Sequence, residues 1–318
     1  MGVYRKVRFI FVHSIKYGGY EMSFSLALSC LINGLAVGLV YAMTAMGLIL
    51  LLKAVGVLNF AQGALIALGS YVASWAIVDL NLPLYVAYPL MLLIYALIGF
   101  VFMLTAYWPL RNAKFPVATT IACLGMGIVV KEAIPLLFGT WPRTLPNLIT
   151  NADGSNMMVT ILGVDIQAQY LIAIAVAAVF MLGTNLLFNK MYFGRMMQAA
   201  AQDKQTASLI GISPFFTISM TYMLVLILIS VGGYTISPIF SVSLSLQNLQ
   251  NRAFAGTVIG GWGSTKGCIV GCLLVGLVEA FSSVWLPLYK DAIIFLMLIL
   301  FLAVRPQGLV KNTVGSKA

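Results

Sequence analysis

Long uncharged stretches, parted by short polar islands, set the pattern of this chain. No Asp, Glu, Lys or Arg occurs over residues 22–52, 54–78, 80–110, 115–130, 166–189 and 205–251. A helix crosses the hydrocarbon core with about 20 apolar residues. The pattern therefore predicts membrane-spanning helices rather than the short apolar faces of a soluble fold. Beyond Asn251 the windows are shorter, broken by Lys266, Glu279, Lys290 and Asp291. The segment 138–165 has a single cation, Arg143, among the turn formers Trp141-Pro-Arg-Thr-Leu-Pro-Asn147 and Asn151-Ala-Asp-Gly154, and reads as the main external loop.

Composition agrees. The 318 residues are 61% hydrophobic and 8% charged, against roughly 25% charged in a soluble domain. This describes an integral membrane protein without room for a globular catalytic or nucleotide-binding domain. The net charge of +10 does not point to nucleic acid, because the cations gather at the edges of apolar runs, where the positive-inside rule puts them. Arg5, Lys6, Arg8 and Lys16 precede an apolar segment too long for the core of a cleaved signal.

Charge orients the crossings. Residues 1–16, Arg111 with Lys114, Lys190 with Arg195 and Lys204, and Arg305 with Lys311 and Lys317 hold most of the 18 cations and are placed in the cytoplasm. Crossings between Lys16 and Arg111, and between Lys204 and Arg305, must then be even in number. Each stretch has more apolar length than two helices need. The expected fold is an all-α integral membrane bundle of eight to ten transmembrane helices, some broken or re-entrant, with both termini cytoplasmic. A basic tail (1–22), one transmembrane domain (23–310) and a C-terminal tail (311–318) divide the chain.

Chemistry-bearing residues are few. Cys30, Cys123, Cys268 and Cys272 all fall in apolar runs. Cys268 and Cys272 stand one helical turn apart, but no His or carboxylate completes a metal site, so they read as small packing residues. The lone histidine, His13, lies in the basic tail. No nucleophile–base constellation is available, so the chain is not expected to be an enzyme, nor to hold a metal or cofactor.

Two places combine glycine with polar residues inside the apolar zone: Gly56-Val-Leu-Asn-Phe-Ala-Gln-Gly63 and Gly260-Gly-Trp-Gly-Ser-Thr-Lys-Gly267. Irregular backbone at membrane depth survives only where protein buries it or a wet cavity borders it, and paired breaks mark translocation pathways. Asn59, Phe60, Gln62, Gly63, Gly261 and Ser264 are the pathway candidates. Gly34 with Gly38 and Gly267 with Gly271 fit close helix packing. Glu279 joins the pathway set as a carboxylate within the last apolar region, where an ionisable group needs a partner; Lys290 or another cation would serve. Lys131 and Glu132 read as an interfacial pair.

A polar island, residues 194–212, lies between two apolar spans. Together with Asn33-Gly-Leu-Ala-Val-Gly-Leu-Val-Tyr-Ala-Met-Thr-Ala-Met-Gly47, the two glycine-rich breaks, Glu279 and Arg305-Pro-Gln-Gly-Leu309, it resembles the permease subunits of high-affinity branched-chain amino-acid ABC importers, of the H type. Within the island, Gly194, Arg195, Ala199, Ala201, Asp203, Ala207, Leu209, Gly211 and Ile212 carry the likeness. Met196, Gln198, Gln202 and Lys266 depart from it, as does the long basic tail, within which Met22 offers a second start.

The resemblance implies a multi-pass protein of the bacterial inner membrane that forms a translocation pathway with a second permease chain. Two ATPase subunits would dock beneath, and an extracytoplasmic binding protein would deliver branched-chain amino acids or related small solutes. The loop 190–213 would be the coupling element, with Gly194, Arg195, Ala199, Asp203, Ala207 and Gly211 meeting the ATPase. The rival reading, a secondary transporter or channel, leaves that loop without a task.

Overall fold

A computed structural model of the chain describes residues 24–113, 115–149, 156–161 and 163–310. In chain order its helices are α1 (Phe24–Val55), α2 (Gln62–Ser74), α3 (Leu84–Phe102), α4 (Pro116–Phe138), α5 (Ala168–Lys190), α6 (Tyr192–Gln202), α7 (Lys204–Leu209), α8 (Pro214–Phe240), α9 (Asn248–Gly260), α10 (Thr265–Trp285) and α11 (Lys290–Val304). A π-turn extends α2 to Asp79, and π and 3₁₀ turns extend α3 to Leu110. Two strands, β1 (Met158–Ile161) and β2 (Val164–Gln167), pair antiparallel within the expected external loop. The basic tail, Lys114, the Asn151–Gly154 turn, Lys311 and Lys317 lie outside the described residues.

Seven of these helices, α1, α3, α4, α5, α8, α10 and α11, are long and apolar enough to cross a bilayer. The apolar windows fold as helices because hydrocarbon offers backbone N–H and C=O groups no outside partner. Local chemistry sets some ends: Ser213 Oγ accepts a hydrogen bond from the Phe216 N–H at 3.5 Å, with Pro214 in the first turn of α8.

Burial then sorts the helices. The apolar window of α1 is 83% buried and that of α8 67%, against 17% for α4 and 6% for α11. The core is therefore built around α1, α8 and α10, and α4 and α11 present most of their surface outward. Small residues bring the core helices together: Gly34 and Gly38 of α1 meet Leu277 and Leu273 of α10, and Gly256 of α9 meets Cys272 of α10. Cys268 and Cys272 are fully buried and act as packing residues in this seam.

Contacts between helix ends fix the direction of each pass. Lys53, near the end of α1, donates to Thr265 Oγ1 at the start of α10 at 3.3 Å. At the other end, Leu26 and Ser29 share a cavity with Tyr170 at the start of α5 and Ser283 at the end of α10. Trp108, after α3, stacks edge-on against Phe215 at the start of α8. One face of the bundle thus gathers the end of α1, α6 and α7, Arg111 and Arg305; the other gathers the start of α1 and the β-hairpin.

Phe24 and Arg305 consequently lie at opposite faces. The two tails expected in the cytoplasm, residues 1–22 and 311–318, lie outside the described residues. The glycine break after α1 adds a pass: residues 56–61 turn back into the bundle and continue as α2, so that α1, α2 and α3 make three passes before Arg111. Between Lys204 and Arg305 the passes are four, as parity asked. Counting two broken passes, the described residues make nine.

The second broken pass is not where the glycines suggested. Gly260–Gly267 forms the tight turn between α9 and α10 at the α6 face. The break at membrane depth falls at 241–247, where Ser241 adopts φ +62° after Pro238 and a short 3₁₀ turn precedes α9. Serines rather than glycines make this break, with the Ser243 and Ser245 hydroxyls 2.7 Å apart.

Arg143 ties the hairpin region to the bundle. Its guanidinium reaches Asp79 at 2.6 Å and the Phe138 carbonyl at 2.5 Å, and its backbone bridges Val242. The loop's single cation thus clamps the ends of α2, α4 and α8.

Candidate functional site

The two short helices α2 and α9 start inside the bundle, and their N-termini meet. The Gly63 N–H donates to the Gln250 side-chain oxygen. A Cβ on Gly63 would stand 2.6 Å from the Gln247 carbonyl oxygen and 2.9 Å from Gln250 Oε1, so only glycine permits this approach. On its other flank, the turn at Ala61 packs against Gly127 of α4. Neither helix is long enough to span the bilayer; each is the helical half of one of the two broken passes.

The polar residues of the first break are buried here. Asn59 Oδ1 accepts from the Ala61 N–H at 3.0 Å, closing the turn before α2. Asn59 and Gln62 are fully buried, and the Asn59 amide nitrogen and both Gln62 amide atoms have no hydrogen-bond partner. Each such group costs about 1–3 kcal/mol when left unpaired.

Beside the junction opens a cavity of about 320 Å³, bordered by Phe60, Gly63, Leu124, Lys131, Gln250 and Asn251. Phe60 is 37% exposed and stands in a short aromatic row with Phe254 and Trp262. Lys131 pairs with Glu132 at 3.7 Å at the rim. Of the predicted pathway residues, Phe60 and Gly63 border this cavity, while Asn59 and Gln62 sit in the wall behind it.

Gly261 and Ser264 stand apart from it. Gly261, at φ +115°, forms the turn from α9 to α10. Ser264 Oγ accepts from the Gly267 N–H at 3.1 Å and caps α10. The motif Arg305–Leu309 folds over this turn: the Leu309 N–H reaches the Ile259 carbonyl at 2.9 Å and the Val310 N–H the Gly260 carbonyl at 3.0 Å. A Cβ on Gly261 would meet the Val310 carbonyl at 2.5 Å. Two of the sequence motifs thus explain each other as a clasp.

Glu279 lies in a third place. It accepts hydrogen bonds from Tyr41 and from the Arg252 guanidinium, and Lys290 Nζ is 3.8 Å away. Arg252 also binds Asp291 through two nitrogens at 2.7 and 3.1 Å and Tyr41 at 2.9 Å. The network joins α1, α9, α10 and α11. Its first cation is Arg252, not the nearby Lys290; the sequence signal was that Arg252 alone interrupts the apolar run between Lys204 and Lys266. Tyr41 and Asp291 carried no such signal. Glu279 also borders a cavity of about 410 Å³ opening between α1, α5, α8 and α10.

The polar island folds as α6 and α7. Gly194 is buried against the carbonyls of Leu187 and Phe188 at the end of α5, and Gln198 Nε2 donates to the Phe188 oxygen at 2.6 Å. Met197, Ala200 and Ala207 face inward. Asp203 starts α7, accepting from the Thr206 N–H at 3.2 Å and hydroxyl at 2.5 Å. Gly211 ends it at φ +84°, with the Ile212 N–H returning to Ala207 O at 3.0 Å. Arg195 is exposed and Ala199 half-buried. Leu209 and Ile210 are 86% and 69% exposed, an apolar tip held outward on a rigid base.

Residues 30–302 match the model of a protein family described as Branched-chain amino acid transport system / permease component. The chain is 31% identical over 294 residues to the high-affinity branched-chain amino acid transport system permease protein BraD of Pseudomonas aeruginosa, covering 88% of this chain and 94% of that protein. It is 30% identical over 293 residues to the corresponding LivH of Salmonella typhimurium, covering 87% and 93%. Among solved structures, PsaBC from Streptococcus pneumoniae in complex with Fab aligns at a TM-score of 0.45 and 17% identity, covering 89% of this chain and 91% of that one, a likeness too distant to carry an argument.

Proposed function

The chain belongs to the branched-chain amino acid transport permease family, and from that premise we propose that it forms one half of the membrane pathway of an ABC importer for branched-chain amino acids or related small solutes. The observation that supports this most is the junction of α2 and α9. Two half-helices present their N-termini to the middle of the bundle, and their partial positive charges suit an anionic group such as a carboxylate. Phe60, Leu124 and Ile128 at the same cavity suit an aliphatic side chain.

The cavity opens along α4, the helix with much of its surface outward, and a second permease chain would close it there. Two ATPase subunits would seat α6 and α7, with the exposed Leu209 and Ile210 as apolar contacts and the exposed Arg195 as a charged one. An extracytoplasmic binding protein would dock on the hairpin face, and the α6 face would lie in the cytoplasm of a bacterial inner membrane. Gly194 and Asp203 then act by shaping the coupling element: one lets α6 press against α5, the other starts α7.

The test is ATP-driven uptake in proteoliposomes holding the whole complex. A Gly194→Trp variant is expected to lose at least about 90% of uptake, since about 1.4 kcal/mol of misplacement is already tenfold, while ATPase subunits still hydrolyse ATP. Uptake without ATP, or uptake indifferent to Gly194→Trp, would remove the coupling assignment and favour a secondary transporter.

A further inference from the structure

We propose that the groove between α3 and α8 on the α6 side holds one acyl chain of an anionic phospholipid, whose headgroup meets Arg111. The groove measures about 530 Å³ and is bordered by Leu93, Ala96, Phe100, Phe216, Met220 and Met223. Its one polar side chain, Ser219, donates to the Phe215 carbonyl of its own helix at 2.7 Å. The rest of its lining is apolar, which suits hydrocarbon rather than water.

The shape follows from a close crossing. A Cβ on Gly99 would stand 2.8 Å from the Tyr222 carbonyl oxygen and 2.9 Å from Met223 Cα, so the two backbones touch there. From Phe215 to Met223 the groove runs about 12 Å at 1.5 Å per residue. That is close to one leaflet of a hydrocarbon core about 30 Å thick. A single lipid of the leaflet on the α6 side therefore matches its depth.

Charge at the mouth selects the headgroup. Phe215 meets the Trp108 ring edge-on at 4.8 Å, and the Arg111 guanidinium lies over that ring at 4.1 Å while donating to the Trp108 carbonyl at 2.8 Å. Stacking and hydrogen bond hold an exposed cation one ring beyond the groove's end, where a phosphate would sit if the chain filled the groove. Arginine suits phosphate by its planar fork, and a juxtamembrane cation favours anionic over zwitterionic lipid.

Native mass spectrometry of the full chain with its co-purifying subunits, titrated with phosphatidylglycerol or phosphatidylcholine of identical acyl chains, tests this. Phosphatidylglycerol is expected to bind about fivefold more tightly. Arg111→Gln, at an exposed position, should abolish that preference while leaving a lipid bound; Ala96→Trp, which fills the groove, should remove one bound lipid of either kind. Equal affinity in the unaltered protein, a preference that survives Arg111→Gln, or unchanged stoichiometry in a folded Ala96→Trp variant would overturn the assignment. So would a photo-crosslinker at position 96 that captures a protein chain rather than lipid.

Discussion

Arg252→Ala is expected to destabilise the bundle by about 3–5 kcal/mol, the usual cost of stranding one member of a buried ion pair. The Glu279 side chain is 7% exposed and that of Arg252 12%, so losing one leaves the other largely buried without its main partner. The carboxylate would keep only the Tyr41 hydroxyl and a lysine 3.8 Å away. Asp291 is different: its side chain is 57% exposed, and exposed pairs contribute only about 0–1 kcal/mol. Asp291→Ala should therefore cost less than about 1 kcal/mol. Replacing both charges, Arg252→Met with Glu279→Leu, should be milder than Arg252→Ala alone. Reversible unfolding of the purified chain in mixed micelles measures all three. Equal losses for Arg252→Ala and Asp291→Ala would mean that the buried arm of the network does not hold α9 in place.

The second large effect is expected at Gly63. A methyl group there meets the Gln247 carbonyl, which is backbone and cannot swing aside, so the start of α9 must move. Overpacking of this kind costs about 1–3 kcal/mol. Because the strain falls where the two half-helices meet, transport should suffer more than folding. Gly63→Ala is expected to lower ATP-driven uptake at least about tenfold with the complex still assembled. Gly183→Ala, on α5 with nothing within 4 Å of the added carbon, supplies the control and should transport normally. Normal uptake by Gly63→Ala would separate the α2–α9 junction from the pathway.

Much of the architecture could be read from residue patterns, and the limits of that reading have physical causes. Uncharged windows located the long helices because only internal hydrogen bonding satisfies a backbone in hydrocarbon. The break at 56–63 was legible through its glycines and amides. The break at 241–247 was not, because serine and an upstream proline interrupt a helix without leaving the glycine signature. The number of passes before Arg111 was hidden for a related reason. Charge counting gives parity only when every pass is recognised, and a turn that re-enters the bundle adds a pass without adding a charge. Gly261 and Ser264 stood out in the sequence because a tight turn and a cap need them, and the clasp of residues 305–310 cannot be foreseen from residues so far apart in the chain. Arg252 was visible as an isolated cation; that Tyr41 and Asp291 would gather around it required the packing of four helices.

The clasp also imposes an order on biosynthesis. The Ile259 and Gly260 carbonyls at the end of α9 are paired by N–H groups of Leu309 and Val310, which emerge from the ribosome only after α10 and α11 have been made. Until then the end of α9 lacks two of its hydrogen-bond donors. The interrupted pass that meets α2 at its other end therefore cannot reach its final form as it enters the membrane. It is finished from behind, when the later helices have been laid down and the strand after α11 closes over it.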